Sequence, residues 1–143
     1  CASELAAHTR ARLERSANPL LAHGLGIAAA RELDEETGLT LGHPPALDGL
    51  EYLCRLVTPP GSPIRFNARF LLVDAERVTG TLGGSGELES LRFYLLDEAL
   101  AVDLAAPTRR VLERLLEWLA MTPGERHSDE RVPVFRLRAW QLE

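Results

Sequence analysis

One stretch of this sequence carries both a start signal and a stop signal for a single long helix. Asn18 interrupts the preceding pattern, and Pro19 after it suits the first turn of a helix. Gly38 follows Thr37, and glycine often ends a helix because it readily adopts the left-handed backbone conformation. We therefore predict a helix over residues 19–37.

Three glutamates, Glu32, Glu35 and Glu36, lie in the last turns of this predicted helix. Residues three and four apart share a helix face, so Glu32 lies beside the other two. Carboxylates at the C-terminal end meet the negative end of the macrodipole, which costs about 0.3–1 kcal/mol each. Like charges four residues apart cost a further ~0.2–0.5 kcal/mol. A cation such as Mg²⁺, which prefers oxygen ligands, would remove both costs.

A plainer interpretation of the same spacing is an acidic helix surface on which Arg31 pairs with Glu35 one turn away. The hydrophobic pattern favours a different placement, because Glu32 continues a line of apolar side chains. This line consists of Leu21, Leu25, Ala28 and Ala29. It predicts that the carboxylates face the protein body or a cleft.

The string from Arg31 to Leu39, R-E-L-D-E-E-T-G-L, resembles the second half of the Nudix signature G-x5-E-x7-R-E-U-x-E-E-x-G-U. Here U is a bulky aliphatic residue, and every specified position of that half matches. The resemblance implies an α+β fold, a mixed β-sheet sandwiched between α-helices, and hydrolysis of a diphosphate linked to another moiety. It assigns Mg²⁺ or Mn²⁺ as the cofactor, with Arg31 and Gly38 as structural supports. The metal ligands that it implies are Glu32, Glu35 and Glu36.

The first half of the signature does not match, because its glutamate falls on His23 and its glycine on Ala17. Two interpretations remain open. In the first, residues 2–24 are a helical insertion within the box, and residues 1–143 form a single Nudix domain that lacks its N-terminal strands. In the second, the front of the box has degenerated and activity is lost. We favour the insertion.

A second pattern supports the insertion. Residues 57–60 (V-T-P-P) and 65–70 (R-F-N-A-R-F) resemble the T-P…R-F-D-T-R-F-F pattern of an interrupted-box Nudix branch. That branch includes the peroxisomal coenzyme A diphosphatases and related bacterial proteins. The resemblance implies coenzyme A or acyl-CoA as a substrate, although Asn67 and Ala68 replace the Asp and Thr of the pattern.

Diphosphate hydrolysis also needs a general base, commonly a carboxylate within hydrogen-bond reach of the attacking water. Glu36 is the first candidate, and Glu87 and Glu89 are the second, although strand-edge glutamates are usually just solvated. Arg65 and Arg69 are candidate substrate-binding residues, because guanidinium groups bind oxyanions in a bidentate manner. Surface pairing with nearby acids is the plainer role for both. The four histidines show no ligand spacing and are assigned no role.

Composition limits the other possibilities. The net charge of −5 and the absence of a Lys or Arg run argue against nucleic-acid binding. With two cysteines and no Cys/His cluster, neither a disulfide framework nor a structural zinc site is expected, which favours the cytoplasm. No signal peptide or membrane-spanning run is expected. An incomplete sheet would leave an unpaired edge, which favours a homodimer.

The remaining periodicities complete an α+β arrangement without a regular βαβ rhythm. Helices are predicted over residues 2–16 with Ser3 as N-cap, over 97–104, and over 107–121 with Trp118 in the core. Strands are predicted over residues 50–57, 65–73, 88–96 and 132–142. A non-catalytic, Nudix-like nucleotide-binding or interaction module is the alternative to the enzyme, because the front half of the box is missing.

Overall fold

The structure, a computed structural model, describes residues 2–63, 65, 67–83, 96–101 and 106–143. Within these residues the chain is a mixed α+β protein with five α-helices and two β-sheets. The helices are α1 (Ala7–Leu13), α2 (Pro19–Thr37), α3 (Leu96–Ala101), α4 (Ala106–Ala120) and α5 (Pro123–Arg126). The strands are β1 (Leu39–Thr40), β2 (Glu51–Val57), β3 (Asn67–Leu72), β4 (Thr79–Gly80), β5 (Pro133–Arg136) and β6 (Ala139–Leu142). The α+β class predicted from the sequence is confirmed at this level.

The chain packs as two compact units, one from residues 1–51 and 72–93, the other from residues 52–71 and 94–143. The first unit contains α1, α2 and a two-stranded antiparallel sheet of β1 and β4. The second contains α3, α4, α5 and, apart from Glu51 and Leu72, a four-stranded sheet in the order β3-β2-β5-β6. This sheet is mixed, because β2 and β5 run parallel whereas β5 and β6 run antiparallel. The predicted single Nudix domain with an insertion over residues 2–24 stays a prediction.

The bounds predicted for the long helix are confirmed by α2. The Asn18 side chain caps its start by accepting a hydrogen bond from the Leu21 amide at 2.8 Å, and Pro19 occupies the first turn. Gly38 ends the helix with φ at 79°, in the left-handed region. Both signals are local, which is why the sequence alone locates them.

The first helix is shorter than predicted. It begins after Ala6, not at Ser3, so the predicted N-cap is wrong. The carbonyl oxygen of Ala2 accepts hydrogen bonds from the amides of Leu47 at 2.7 Å and Asp48 at 3.3 Å. These contacts with a distant segment hold the start of the chain out of the helix.

The buried line of α2 also differs from the predicted one. Ala22, Gly26 and Ala30 are its buried residues, whereas Leu21 is exposed. A β-carbon on Gly26 would lie 3.1 Å from a methyl group of Leu5. Small side chains are therefore required where α2 packs against its neighbours, and this steric need outweighs the greater hydrophobicity of leucine.

Strand β2 forms the centre of the second unit. All five residues from Tyr52 to Leu56 are buried, without the alternation of a half-exposed strand. This is expected of a strand with neighbours on both sides and with both faces covered. Helix α4 confirms the helix predicted over residues 107–121, and its Trp118 is buried as expected. Leu116 and Leu119 of the same helix remain 44% and 55% exposed.

The last predicted strand, residues 132–142, is instead a hairpin. Leu137 and Arg138 have φ values of 54° and 65° and connect β5 to β6, in which Arg136 pairs with Ala139. Two-residue turns of this type favour Asn-Gly, so Leu-Arg gave no turn signal. Helix α5 is not among the predicted helices, although the sequence contains the capping box that Thr122 and Glu125 form at its start.

Several predictions fall wholly or partly outside the described residues. The strand predicted over residues 88–96 lies outside them up to Leu95. The short helix predicted over residues 97–104 lies outside them after Ala101, and α3 corresponds to its described part. Glu87 and Glu89 lie outside as well. None of the helices that the structure describes has the length and apolar character needed to cross a lipid bilayer.

Candidate metal site

The C-terminal end of α2 carries the three predicted metal ligands. The Gly38 amide donates to the Asp34 carbonyl at 2.9 Å, which closes the last helical turn. The Thr37 hydroxyl donates to the Leu33 carbonyl and accepts from the Leu39 amide at 3.1 Å, so the exit from the helix is tightly hydrogen-bonded. No basic residue occupies the last turn of α2, so no side chain of that turn offsets the negative end of the helix dipole.

Glu32, Glu35 and Glu36 are all exposed on this helix end. They do not face the protein body, because the line buried by α2 runs through its small residues, whereas the alternative of a cleft is met by Glu35, which borders a cavity. The carboxylate oxygens of the three are not all within 4.8 Å of one another in the described structure. Their role as metal ligands stays a prediction.

Arg31 pairs with Glu35, as the plainer interpretation of the spacing expected. The Arg31 Nε lies 3.9 Å from the Glu35 Oε1, and the two side chains are 63% and 66% exposed. An exposed ion pair at this distance contributes about 0–1 kcal/mol to stability, so the pair is weak enough to leave the Glu35 carboxylate available for another cation.

A cavity of about 330 Å³ lies beside this end of α2. Its polar lining includes Arg31, Asp34, Glu35, Thr40 and His43. This volume is at the lower end of the range for small-molecule sites. One of the three predicted ligands, Glu35, therefore borders a space that can accept a small polar group.

Two histidines that the sequence left without a role have acidic partners in the first unit. His43 Nε2 lies 3.3 Å from Asp34 Oδ2 at the cavity, and His8 Nε2 lies 2.9 Å from Glu51 Oε2. The sequence gave no signal for either pair, because both depend on how the chain folds back on itself. Asp34 occupies an unspecified position of the Nudix signature, so the resemblance did not single it out either.

A second segment holds the helix end in place. Leu39 of β1 pairs with Gly80 of β4, and the Gly83 amide donates to the Thr37 carbonyl at 2.9 Å. The chain after the glutamates is therefore anchored by hydrogen bonds to residues some forty positions further on. This fixes the backbone beneath Glu35 and Glu36 while their side chains remain exposed.

The predicted substrate-binding arginines belong to the second unit. Arg65 is exposed and precedes β3, whereas Arg69 is half-buried within β3, where its charge acts on the buried Tyr52 side chain. Burial raises the pKa of Tyr52 to about 12, and the charge of Arg69 partly opposes that shift. Arg69 therefore interacts electrostatically with a buried tyrosine of its own unit, in addition to any contact with a substrate.

Asn67, which replaces the Asp of the family pattern, also has a partner. Its Oδ1 accepts a hydrogen bond from Arg55 Nε at 2.7 Å, and Arg55 Nη1 lies 2.7 Å from Glu143 Oε1. Asn67 is thus part of the polar network that neutralises a buried arginine. The hydrogen bond from Arg55 therefore accounts for an amide oxygen at residue 67.

Comparisons of the chain with family models, with curated proteins and with solved structures gave no match.

Proposed function

We propose that this protein is a divalent-cation-dependent pyrophosphohydrolase of the Nudix type. Its substrate is a nucleoside-diphosphate-linked compound, with coenzyme A and acyl-CoA as the first candidates. The proposal includes a Nudix-like arrangement, and the mixed sheet of the second unit is compatible with that. One observation carries the proposal: Glu32, Glu35 and Glu36 project from one accessible helix end that contains no basic residue in its last turn.

The donor set suits Mg²⁺ or Mn²⁺. Mg²⁺ keeps several of its waters and takes only one or two carboxylates together with substrate phosphate oxygens. Exposed glutamates meet this need, because they leave room for the retained waters and for the substrate. Their side chains have three rotatable bonds each, so an ion can draw them together at a modest cost in rotamer freedom.

A bound Mg²⁺ or Mn²⁺ would neutralise charge on the phosphate oxygens and activate a water molecule. The chain itself would hold the ion through Glu32, Glu35 and Glu36. Glu36 is also the first candidate to accept the proton of the attacking water, with Glu87 and Glu89 as second candidates. The hydrogen-bonded exit from α2 at Thr37 would keep these groups in register during the reaction.

The test is hydrolysis by the purified protein of a panel that contains coenzyme A, acetyl-CoA, ADP-ribose and NADH. Each reaction is run with Mg²⁺, with Mn²⁺ and with a chelator, and the nucleotide products are separated chromatographically. We expect metal-dependent cleavage of the diphosphate, and kcat/KM lower by at least about 10²-fold in Glu36→Gln. Glu76→Gln, which changes an exposed glutamate of the same unit, is the matched control and should leave turnover unchanged.

A second candidate function is a nucleotide-binding module without catalysis. It is favoured by the positions at which the signature requires an earlier glutamate and glycine, because these are His23, which is exposed, and Ala17. Calorimetry separates the two proposals. Binding of ADP-ribose or coenzyme A that is unchanged by Mg²⁺, with no product after prolonged incubation, would support the module and overturn the hydrolase.

A further inference from the structure

The second unit contains its own cavity, of about 310 Å³. Three elements line it: the end of β2, the first turn of α4 and the β5–β6 hairpin. Its apolar lining includes Leu56, Val57, Pro59, Pro107 and Phe135. A space of this size holds about ten non-hydrogen atoms, if each takes roughly the 30 Å³ of a liquid water molecule.

The strand register explains why one wall of the cavity is apolar. Leu56 of β2 lies opposite Phe135 of β5 in the parallel pair. The Phe135 ring also meets the Trp140 ring edge-on, with centroids 5.2 Å apart and planes at 69°. Such edge-to-face pairs hold both rings in place, so the cavity has a preformed aromatic wall.

Two arginines, Arg110 and Arg138, also line this cavity. The guanidinium carbon of Arg110 lies 5.0 Å from the centroid of the Phe135 ring, which keeps the charge beside the apolar wall. No acidic side chain is among the described residues that line the cavity, and neither arginine has a carboxylate partner within the described part of the chain. Among the described residues, this is a local concentration of positive charge in a protein of net charge −5.

The backbone conformation of Arg138 is a second, independent observation that points to a ligand. Its φ of 65°, next to 54° at Leu137, is a conformation for which turns normally select Asn or Gly. A long cationic side chain is an unfavourable choice for this turn, yet it lines the cavity. Strained residues of this kind are enriched at binding sites.

We propose that this cavity binds a small amphiphilic anion. An apolar body of about ten atoms would lie against Leu56, Pro107 and Phe135, and a carboxylate or phosphate head would be held by Arg110 and Arg138. Guanidinium groups suit such heads because they donate two parallel hydrogen bonds to an oxyanion. The site shares no residue with the acidic end of α2, so this proposal does not rest on the proposed function.

The test is titration of the full chain with octanoate, octyl phosphate and octanol, each below its micellar range, followed by calorimetry and amide NMR shifts. We expect octanoate, octyl phosphate or both to bind, and octanol to bind at least about tenfold more weakly. Binding of only one anion would identify its head group as the ligand class. Octanol binding as tightly as the anions, or no binding by either anion, would overturn the proposal.

Three variants locate the site. Arg110→Gln and Arg138→Gln should each weaken binding of the anion about tenfold, because each removes a charged hydrogen-bond donor. Ala106→Phe changes an exposed residue that lines the cavity and should fill it, which abolishes binding while the fold is retained. Arg131→Gln, an exposed arginine paired with Asp129 outside the cavity, should bind as the unaltered protein does. Undiminished binding in the first three variants, with circular dichroism showing a folded chain, would contradict the assignment.

Discussion

Gly38 and Gly80 approach each other so closely that a β-carbon on Gly80 would lie 2.5 Å from the carbonyl oxygen of Gly38. Gly80 also has a φ of 103°, which side-chain-bearing residues rarely adopt. Since Gly38 ends the helix that bears Glu35 and Glu36, this contact ties the candidate metal site to β4.

Replacing Gly80 with alanine should therefore destabilise the first unit. The new methyl group would meet the Gly38 backbone and would strain its own, and we expect the free energy of unfolding to fall by about 1–3 kcal/mol. Urea denaturation measures this change. Gly83→Ala is the matched control, because the nearest described atom to its added β-carbon is 4.0 Å away. Equal stability of the two variants would show that the contact is not as close as described.

The pair of Arg55 and Glu143 should stabilise the second unit more than an ordinary surface pair. Their side chains are only 11% and 23% exposed, and the ion pair measures 2.7 Å. Glu143→Gln removes the negative charge beside a buried guanidinium, so the free energy of unfolding should fall by about 1–3 kcal/mol. Thermal or urea unfolding tests this, with the exposed Glu130→Gln as control. A loss no larger than that of the control would mean that the pair contributes little.

The turn at Leu137 and Arg138 predicts a conflict between stability and binding. Changing both residues to Asn-Gly should raise the free energy of unfolding by roughly 1–2 kcal/mol, because it relieves the left-handed backbone strain. The same change should weaken octanoate binding through the loss of Arg138. Leu137→Asn alone should gain part of the stability and keep the binding. An Asn-Gly variant that is no more stable would refute the strain argument.

The thiol of Cys54 should be unreactive in the folded protein. Burial raises its pKa from 9.0 to about 12, and the charge of Arg114 opposes the shift only in part. At pH 8 the native thiolate fraction should be on the order of 10³-fold below that of the unfolded chain. In a Cys1→Ser background, reaction with a chromogenic disulfide should be slow until denaturant is added. Equally fast reaction of the native protein would contradict the burial.

The same pKa shift has a consequence for stability. A folded-state pKa above the unfolded value means that the folded chain holds its proton more tightly. The contribution of Cys54 to stability is then fully present below pH 9.0 and is lost as the pH rises toward about 12. Thermal unfolding between pH 7 and pH 11 should show this decline, and it should be smaller in Cys54→Ala. A decline of the same size in the variant would assign the effect to other groups.

The sequence predicts the elements whose ends carry local signals. Helix α2 follows from Pro19 and Gly38, β2 from a run of strand-forming residues, and α4 from Pro107 and helical spacing. The sequence does not predict the end of an element where a distant contact or an unfavourable backbone conformation determines that end. The bonds from Ala2 to Leu47 and Asp48 shorten α1, and the Leu-Arg turn divides the predicted last strand without any glycine.

The candidate metal site is likewise predictable from the sequence only in part. That Glu32, Glu35 and Glu36 share a helix end follows from their spacing and from the confirmed bounds of α2. The exposure of the three side chains does not follow from the sequence, because the face that α2 buries depends on how closely the helix packs at Gly26. The place of His43 beside Asp34 depends on the path of the loop after β1, for which the sequence gives no periodic signal.

Direct binding of Mn²⁺ tests the central claim most simply, because it does not require knowledge of the substrate. Free Mn²⁺ is measured by electron paramagnetic resonance as it is titrated into the purified protein, into Glu32→Gln/Glu35→Gln/Glu36→Gln and into the control Glu76→Gln. The account predicts saturable binding to the unaltered protein and the control, and an affinity weaker by about tenfold or more in the triple variant. Binding of equal strength in all three proteins, or no binding to the unaltered protein at millimolar Mn²⁺, would contradict it.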